Sequence, residues 1–439
     1  MDSFPVGEKI GQMRKEIISL LKKEKIDFWK IEEAEIERSN IYFEKNEEES
    51  HISGKRKDYL VTVYKKEGDF LGESAVTIKE GDSISKKIKE AVVASRLIKN
   101  PYYVPFEKFS LYPKAKKAAR LPSREELVKR VKEAYDEIGK TTAVLNAFEV
   151  HTKKSRITVI TSIGQELGEE HNGAYAECAV TAKGRRGEME YVGMRQEATI
   201  GQINLRQFAS ETCKVAIDVS NSTSPKKFKG NVVLTGDALA EFFMTSPQED
   251  PVVIHSSARM KYLRLSKFEI GRDFEKGIKG DRITFSSNPL IENALRSSAF
   301  DSNLVPAKKT VLIENGIFKN FFAGKRYADY LKITPTGPLG NIEIDLGSTP
   351  MNDFFRDGNC EIASFSWFSP SVYSGDFTAE IRLGYLIKND KKIPFKGGMW
   401  VGNYFRVLAD CVLAKEKWFK SGYYGPKAIM FRNSVISGS

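Results

Sequence analysis

The chain has 439 residues, of which 41% are hydrophobic and 29% charged, a composition typical of soluble globular proteins with two or three domains. It contains no apolar run of about 18 residues, and its amino terminus lacks the pattern of a signal peptide, so we expect a cytoplasmic protein without a membrane span. The net charge is +11, but the lysines are dispersed and no nucleic-acid motif accompanies them. We therefore expect a solvated basic surface and no nucleic-acid partner.

The first predicted segment, residues 1–108, has the order helix, strands, helix. Apolar residues recur at helical spacing through Glu8–Lys25 and again from Ile84 to Ser95, so each stretch predicts a helix with one buried face. Strands are predicted between these helices at Phe28–Ile36, Ile41–Glu44, Asp58–Tyr64 and Phe70–Ile78. The stretch Asn100–Phe106 holds two prolines, which favour an extended linker.

The second predicted segment, residues 109–229, repeats this order. Ser123 and Glu126 have the spacing of a capping box and predict the start of a helix. A helix through Gln202–Asp218 ends the segment, and the charged stretch Gly164–Gly173, with His171, predicts a solvated hairpin turn and no catalytic site. The strands are predicted at Ala143–Val150, Arg156–Ile163, Ala174–Ala182 and Met189–Met194. The amino-terminal half therefore predicts a duplicated helix-strands-helix unit.

The third predicted segment, residues 230–439, is rich in strands. A buried strand at Val232–Leu234 leads into a predicted helix at Thr235–Thr245, and a short apolar strand is predicted at Val252–His255. His255 ends that strand beside serines, but strand neighbours point to opposite faces, so no catalytic triad is expected. The whole chain thus predicts an α+β fold whose carboxy-terminal domain is large and mainly antiparallel.

Two hairpins are the most informative elements of this third segment. Thr310–Phe318 reads as strand, turn and strand, with Asn315-Gly316 where a tight hairpin requires positive φ. Ser374–Lys391 begins Ser-Gly-Asp-Phe, continues as an apolar strand and turns at Asn389-Asp390. In this order the two hairpins resemble those of the TldD/PmbA family, and the likeness extends over almost the whole chain.

The resemblance implies a TldE/PmbA-type subunit, because the metal motif of the other type is missing. TldD-type subunits carry H-E-x-x-x-H on the helix that matches Thr235–Thr245, and a cysteine near a stretch that here is Lys417–Pro426; neither stretch contains histidine or cysteine. The histidines, which lie far apart, are His51, His151, His171 and His255. We therefore expect no metal, no cofactor and no catalytic residue in this chain.

The family resemblance also implies partners. It predicts a dimer that closes over open sheet edges. The second subunit would be a TldD-type metalloprotease subunit, a second copy of this chain, or either of the two. With the TldD-type partner the substrates would be unfolded or short peptides, and alone the chain would be inactive. An alternative is a homodimeric regulatory or binding protein without proteolytic role, because members of the family have been called modulators of DNA gyrase.

One set of site residues follows from the resemblance. The Gly-Asp-Phe strand lines the interior cleft of the family, so Gly375, Asp376 and Phe377 are the candidates for contacting a peptide substrate. A structural role competes with this interpretation, because Gly375 permits a close backbone approach and Asp376 can satisfy the amides of a turn.

The four cysteines give no signal for a zinc site. They are at least 35 residues apart, which fits neither a zinc knuckle nor a dense disulfide framework. We expect free, buried thiols at Cys178, Cys213, Cys360 and Cys411.

Overall fold

The computed structural model of the chain describes residues 6–115, 117–139, 141–244 and 250–438. In these ranges the amino-terminal half contains the elements α1 (Val6–Lys23), β1 (Phe28–Glu44), β2 (Glu47–Glu67), β3 (Phe70–Ile78), α2 (Ile84–Leu97), β4 (Asn100–Pro101), α3 (Arg124–Ile138), β5 (Ala143–Thr161), β6 (Glu166–Gly184), β7 (Gly187–Glu197) and α4 (Leu205–Asn221). Its strands form one antiparallel sheet in the order β4-β3-β2-β1-β5-β6-β7. The two predicted segments therefore share a single sheet.

Strands β1 and β5 join the two segments. They pair from Lys30 opposite Thr161 to Glu44 opposite Ala147. Both are longer than the sequence predicted, because each fuses two predicted strands across a polar middle. Each is paired on both sides, so its backbone groups are satisfied by neighbouring strands even where its side chains are charged.

The helices of this half lie on one face of the sheet and form two separate cores. Ile17 of α1 and Ile88 of α2 pack with Ile31 of β1 in one core. Leu127 of α3 and Phe208 of α4 belong to the other. The order helix, strands, helix is thus confirmed in both segments. The predicted capping box is confirmed as well, since Ser123 and Glu126 bond reciprocally at the start of α3.

The carboxy-terminal half contains two sheets that share one core. Its elements within the described ranges are β8 (Phe228–Leu234), α5 (Gly236–Met244), α6 (Pro251–His255), α7 (Ala258–Tyr262), β9 (Phe285–Asn288), β10 (Thr310–Glu314), β11 (Ile317–Phe318), α8 (Lys325–Leu331), β12 (Asn341–Ile344), β13 (Cys360–Pro370), β14 (Asp376–Lys388), β15 (Lys391–Phe395), β16 (Met399–Asn403), α9 (Tyr404–Ala409), β17 (Cys411–Leu413), β18 (Lys417–Lys420), β19 (Tyr423–Pro426) and β20 (Ile429–Ser437). Strands β13, β8, β20, β16 and β14 close into a ring, because β14 pairs again with β13. The other sheet has the order β11-β10-β9-β12-β19-β18.

Most strand pairs of the carboxy-terminal half are antiparallel, as predicted. The exceptions among the named, described strands are the parallel pairs of β8 with β13 and of β12 with β19. Both sheets contribute to the largest hydrophobic core, in which Phe242 of α5 stacks on Tyr404 of α9 with ring centroids 4.4 Å apart. The α+β class with large antiparallel sheets is therefore confirmed.

Both diagnostic hairpins are present. Strands β10 and β11 pair through a turn in which Asn315 and Gly316 have φ of 48° and 78°. Strands β14 and β15 pair through Asn389 and Asp390, with φ of 50° and 57°. Two consecutive residues with positive φ define the turn that matches the twist of the flanking strands, so the local sequence identified these turns correctly.

Two sequence predictions are wrong. Val252–His255 is helical and belongs to α6, because Asp250 accepts a hydrogen bond from the amide of Val253 and Pro251 occupies the first turn. The stretch Gly164–Gly173 is not a solvated loop, since β6 begins at Glu166 and continues through His171. Pairing with β5 holds this charged stretch extended, and Glu169 within it is buried.

The four cysteines are free and buried, as expected from the sequence. Burial raises the pKa of the Cys178 thiol to about 12, which keeps it protonated and unreactive at neutral pH. Among the residues that the structure describes, no helix is long and apolar enough to cross a membrane. Thr245, the last residue of one predicted helix, lies outside the described residues.

Candidate functional site

Helix α5 occupies the position at which the family resemblance placed a metal motif. It follows the fully buried end of β8 through Thr235, whose hydroxyl donates to Oε1 of Glu361 at 2.7 Å, and through Gly236, whose φ is +53°. Phe242 and Phe243 turn into the core. Asp237 and Glu241 are four residues apart and therefore share another face of the helix.

The first turn of α5 is paired with a buried lysine. The ammonium group of Lys420, at the end of β18, forms an ion pair with Asp237, and only 9% of the Lys420 side chain is exposed. Burial and the positive charge of Arg195 lower the pKa of Lys420 to about 7, whereas Glu211 and Glu197 act in the opposite direction. The adjacent Asp237 carboxylate also favours the charged form of the lysine.

The second turn of α5 carries another shifted group. Burial raises the pKa of Glu241 to about 7, and the charge of Arg382 on β14 partly opposes this. The Arg382 guanidinium lies 5.7 Å from the centre of the Tyr191 ring, and the Tyr191 hydroxyl is 3.4 Å from Oγ of Ser364. Tyr191 belongs to β7, so this contact joins the two halves of the chain.

Together these side chains form a charge cluster between the amino-terminal sheet and α5. It consists of Tyr191, Arg195, Glu197, Glu211, Asp237, Glu241, Arg382 and Lys420. Arg195 is 3.3 Å from Glu211, and Glu197 accepts a hydrogen bond of 3.3 Å from the amide of Ser421, next to Lys420. Burial raises the pKa of Glu197 above its ordinary value. The cluster is therefore a network of compensated charges.

The charge cluster has the chemistry of ion pairing and proton exchange. Lys420 and Glu241 both titrate near neutral pH, and the other members are carboxylates, guanidinium groups and a phenol. Within the ranges that the structure covers, no three His, Cys, Asp or Glu side chains converge as a metal-binding group. Helix α5 itself contains no histidine or cysteine. Imidazole and thiolate, two of the donor types that zinc binds, are therefore missing from this helix.

The predicted cleft residues lie at the start of β14. Gly375 has φ of +77°, and a Cβ atom there would come within 2.6 Å of the Phe405 ring, so this position requires glycine. Asp376 is exposed, and its Oδ1 accepts a hydrogen bond of 2.9 Å from Asn403 Nδ2. The hydrogen bonds from Asn403 and Ser374 lower the pKa of the Asp376 carboxyl.

Phe377, the third predicted cleft residue, points into the core. It is 3% exposed, and its ring centroid lies 4.6 Å from that of Trp400 and 6.2 Å from that of Phe242 on α5. The predicted segment therefore presents the Asp376 carboxylate to solvent, while Phe377 contacts the helix beside the charge cluster. These positions leave the Asp376 carboxylate accessible and give Phe377 a packing role.

Sequence reasoning did not identify the charge cluster. Lys420 was part of the Lys417–Pro426 stretch, which was considered only for its missing cysteine. Alternation along β18 gave one usable signal, because Trp418 is partly buried, Phe419 is exposed and Lys420 is buried on the same face as the tryptophan. The other members come from distant parts of the chain.

Comparison with known proteins defines the class. Residues 229–438 match the family described as the PmbA/TldA metallopeptidase C-terminal domain. The resemblance to the TldD/PmbA family is thereby confirmed, and this half of the chain belongs to that family. The fold of the whole chain is similar to that of TldE from Thermococcus kodakarensis, with a TM-score of 0.80, 18% identity and coverage of 97% of this chain and 100% of that one.

Other known proteins are similar to this chain in fold or in sequence. A candidate modulator of a DNA gyrase from Thermotoga maritima has a TM-score of 0.81 at 16% identity, covering 98% of this chain and all of that one. An uncharacterized protein of Methanocaldococcus jannaschii is 25% identical over 51% of this chain and 55% of its own length. A metalloprotease TldD homolog of Buchnera aphidicola is 26% identical over 30% of this chain and 31% of its own length. The chain thus matches about half or less of the length of these two sequence relatives.

Proposed function

We propose that this chain is a TldE/PmbA-type subunit without a metal of its own, which pairs with a TldD-type metalloprotease subunit acting on unfolded or short peptides. The observation that carries the proposal is the composition of α5 and the ion pair at its first turn. This helix has no histidine, and its first turn is engaged by the buried Lys420 in an ion pair with Asp237. The likeness in fold to the Thermococcus TldE supports the same subunit type.

The proposal assigns hydrolysis to the partner. A hydrolytic zinc site needs about three protein ligands, an open position for water and a general base. The described residues of this chain offer no such ligand group. Its contribution is to enclose and position the peptide, and the exposed Asp376 carboxylate beside the start of β14 is the side chain best placed to contact it.

Metal content and activity test the proposal directly. The purified chain alone should contain no stoichiometric transition metal and cleave no peptide, whereas the chain mixed with a TldD-type subunit from the same source should cleave unfolded or short peptides. Elemental analysis of each subunit after separation should locate the metal in the partner. About one zinc per copy of this chain, together with chelator-sensitive cleavage by this chain alone, would overturn the proposal.

The alternative, a homodimeric binding protein related to modulators of DNA gyrase, is favoured by the net charge of +11 and by the likeness in fold to the Thermotoga protein. Sedimentation of the chain with and without the TldD-type subunit separates the two functions. The first proposal predicts a dimer that exchanges subunits and gains peptidase activity. A homodimer that persists beside the partner without activity would favour the alternative, and a monomer at micromolar concentration would contradict both.

The cleft assignment is tested by two substitutions of Asp376 in the active pair. D376N keeps an oxygen that can accept from Asn403, whereas D376A removes that bond and the charge. If the charge positions the peptide, both variants should lower kcat/KM by about threefold or more without dissociating the pair. D390N, in an exposed turn of the same half, is the control. If D376N is as active as D390N, the Asp376 charge does not position the peptide, and Asp376 is an ordinary turn residue.

A further inference from the structure

The middle of the amino-terminal sheet is only four strands wide. Strand β3 pairs with β2 from Tyr59 onward, and β7 pairs with β6 from Ala174 onward, so neither reaches the residues that precede these two. In this middle part β2, β1, β5 and β6 follow one another across the sheet. Its outer strands therefore pair on one side only with the strands that the structure describes.

One row of residues crosses these four strands. Its members, in strand order, are Gly54, Arg38, Lys153 and Gly173. They share one face, because residues opposite each other in antiparallel strands point to the same side of a sheet. Lys30 of β1 points to that side too, and its ammonium donates to the carbonyl of Ser302 at 3.0 Å. The face therefore continues into the surface that contacts the carboxy-terminal half.

Two cations lie side by side in this row. Arg38 and Lys153 are directly opposite each other on β1 and β5, and both are exposed. Partial burial lowers the pKa of Lys153, and the charges of Arg38 and Arg56 lower it further. Within the described part of the chain, no hydrogen bond or ion pair engages the side chain of Arg38 or of Lys153. Like charges that face each other across two strands destabilise a sheet, so an anion bound between them would relieve the repulsion.

The two adjacent rows supply no negative charge. One consists of Arg56, Ile36, Ser155 and His171, and the other of Ile52, Asn40, His151 and Tyr175. All of these residues lie in the described part of the chain, and none is acidic. The glutamates of the same strand segments occupy the alternate positions and lie on the opposite face; they are Glu35, Glu37 and Glu170. We call these three rows the basic face.

The acidic groups in the rows beyond the basic face are already engaged. They form the pairs Asp58 with Arg56, Glu149 with His151, Glu177 with Tyr175 and Glu169 with the amide of Ala299. At Gly54 and Gly173 a Cβ atom would meet no other atom within 4 Å, so the space beside both free cations is open. The basic face is therefore accessible to a partner that brings negative charge.

We propose that the basic face binds an acidic segment of a peptide. In an extended segment with acidic residues at alternate positions, two carboxylates lie about 7 Å apart on one side, within reach of both Arg38 and Lys153. An apolar side chain on that side would lie against Ile52, which is 58% exposed, or against the ring of Tyr175. Naming such a peptide as the substrate of the pair rests on the proposed function, whereas its binding to this chain does not.

A nucleic acid fits the basic face less well. Proteins that hold a nucleic acid through its backbone neutralise many phosphates, about six to ten in typical cases. On this face only Arg38 and Lys153 lack a partner among the described residues, since Arg56 is 3.2 Å from Asp58. Two cations beside apolar and aromatic side chains match a short acidic peptide better than a run of phosphates.

The peptides acetyl-Glu-Ala-Glu-Ala-Leu-amide and acetyl-Gln-Ala-Gln-Ala-Leu-amide differ in charge alone and serve as probes. Calorimetry or ligand-observed NMR on the full chain at about 50 mM salt should show that the acidic peptide binds about threefold to tenfold more tightly, as expected for two exposed ion pairs. The preference should shrink at about 500 mM salt, where the charges are screened. Equal affinities at low salt, no binding of the acidic peptide up to about 10 mM, or its displacement by a tighter-binding oligothymidine would overturn the proposal.

Two double variants with the same change in net charge locate the site. R38Q/K153Q removes the free cations and should bind both peptides equally, whereas K86Q/K89Q removes two exposed lysines of α2, on the other face of the sheet, and should keep the preference. Circular dichroism confirms that each variant is folded; should R38Q/K153Q fail to fold, K153Q decides and should weaken the preference. A preference retained without the free cations, or lost equally in K86Q/K89Q, would refute the assignment.

Cleavage assays with a TldD-type subunit separate this inference from the proposed function. The pair should cleave the acidic peptide with a higher kcat/KM than the glutamine peptide, and R38Q/K153Q should remove that difference without changing cleavage of the glutamine peptide. Cleavage of both peptides at equal rates would refute the substrate preference and leave the proposed function standing. A pair that cleaves no peptide would refute the proposed function, while selective binding of the acidic peptide by this chain would still support the basic face as its site.

Discussion

Burial lowers the pKa of two cations in the carboxy-terminal half, Lys420 and Arg296, but their surroundings compensate the two charges differently. Lys420 lies beside α5, where Asp237 pairs with it and Glu197 and Glu211 add attraction. Arg296 lies in the loop that follows β9, and its Nη1 is buried without a hydrogen-bond partner in the described part of the chain. The contrast is between a compensated charge at Lys420 and a charge at Arg296 whose buried nitrogen has no hydrogen bond.

The two side chains also differ in how they can respond to burial. Lysine readily loses its proton when it is desolvated, and burial lowers the pKa of Lys420 to about 7. Arginine keeps its charge, since even the lowered pKa of Arg296 is about 10. An unpaired buried lysine can become neutral, but an unpaired buried arginine must find an anion or remain unsatisfied.

The comparison is tested most strongly by removing the partner of Lys420. D237A should lower the free energy of unfolding by about 1 to 2 kcal/mol, less than the loss of a fully buried partner because 41% of the Asp237 side chain is exposed. Urea unfolding measures this effect. D353A, which breaks the exposed pair of Asp353 with Arg356, is the control and should change stability by less than about 0.5 kcal/mol.

A double-mutant cycle extends this first prediction. In K420M the charge is gone, so the further change D237A should cost much less than it does in the wild type. Equal costs of D237A in both backgrounds would show that the ion pair contributes nothing and that Lys420 is not held by it.

The second prediction concerns pH. The pKa of Lys420 is about 7 in the folded chain and about 10.4 in an unfolded one, so the unfolded state binds more protons between these values. The lysine contribution to the free energy of unfolding should therefore rise as pH increases from about 7 to about 10. Burial lowers this pKa most and Arg195 lowers it further, whereas Glu211 and Glu197 oppose the shift; Asp237 forms the ion pair with the same group.

Subtracting the stability of K420M from that of the wild type isolates the lysine. The difference, measured by urea unfolding at several pH values, should increase in favour of the wild type across this range. Glu241 does not disturb the subtraction as long as its own pKa, about 7, is the same in both proteins. A difference that stays flat or falls would mean that Lys420 remains fully charged in the folded state.

The sequence predicted what depends on near neighbours. Asn315-Gly316 and Asn389-Asp390 were identified as turns because positive φ is a local requirement, and the Ser123 capping box because two residues three positions apart define it. The family assignment rested on these same local features. The helical state of His255 was missed, because the cap from Asp250 competed with an apolar pattern that equally fits a strand.

What the sequence could not predict depends on residues far apart in the chain. The polar middle of β1 is extended because β2 and β5 pair with it on both sides. Lys420 is buried because β7, α4 and α5 meet around it. Nη1 of Arg296 has no hydrogen bond, while the carboxyl of Asp250, which attracts Arg296, accepts from Val253 and Tyr404. No spacing along the chain encodes these contacts, so the surroundings of both cations emerged only from the fold.

The smallest expected change in stability belongs to R296M. Removing an unpaired buried charge also removes its desolvation cost, and the methionine side chain keeps much of the apolar contact of the arginine stem. We therefore expect the free energy of unfolding to stay within about 1 kcal/mol of the wild type or to rise slightly. The loss of the Arg296 charge should also raise the pKa of Asp250 further above about 7, since that charge lowers it. Urea unfolding of R296M and of D237A compares the contributions of the two cations to stability. A loss in R296M as large as that in D237A would show that the native fold already satisfies Arg296 and would remove the distinction between them.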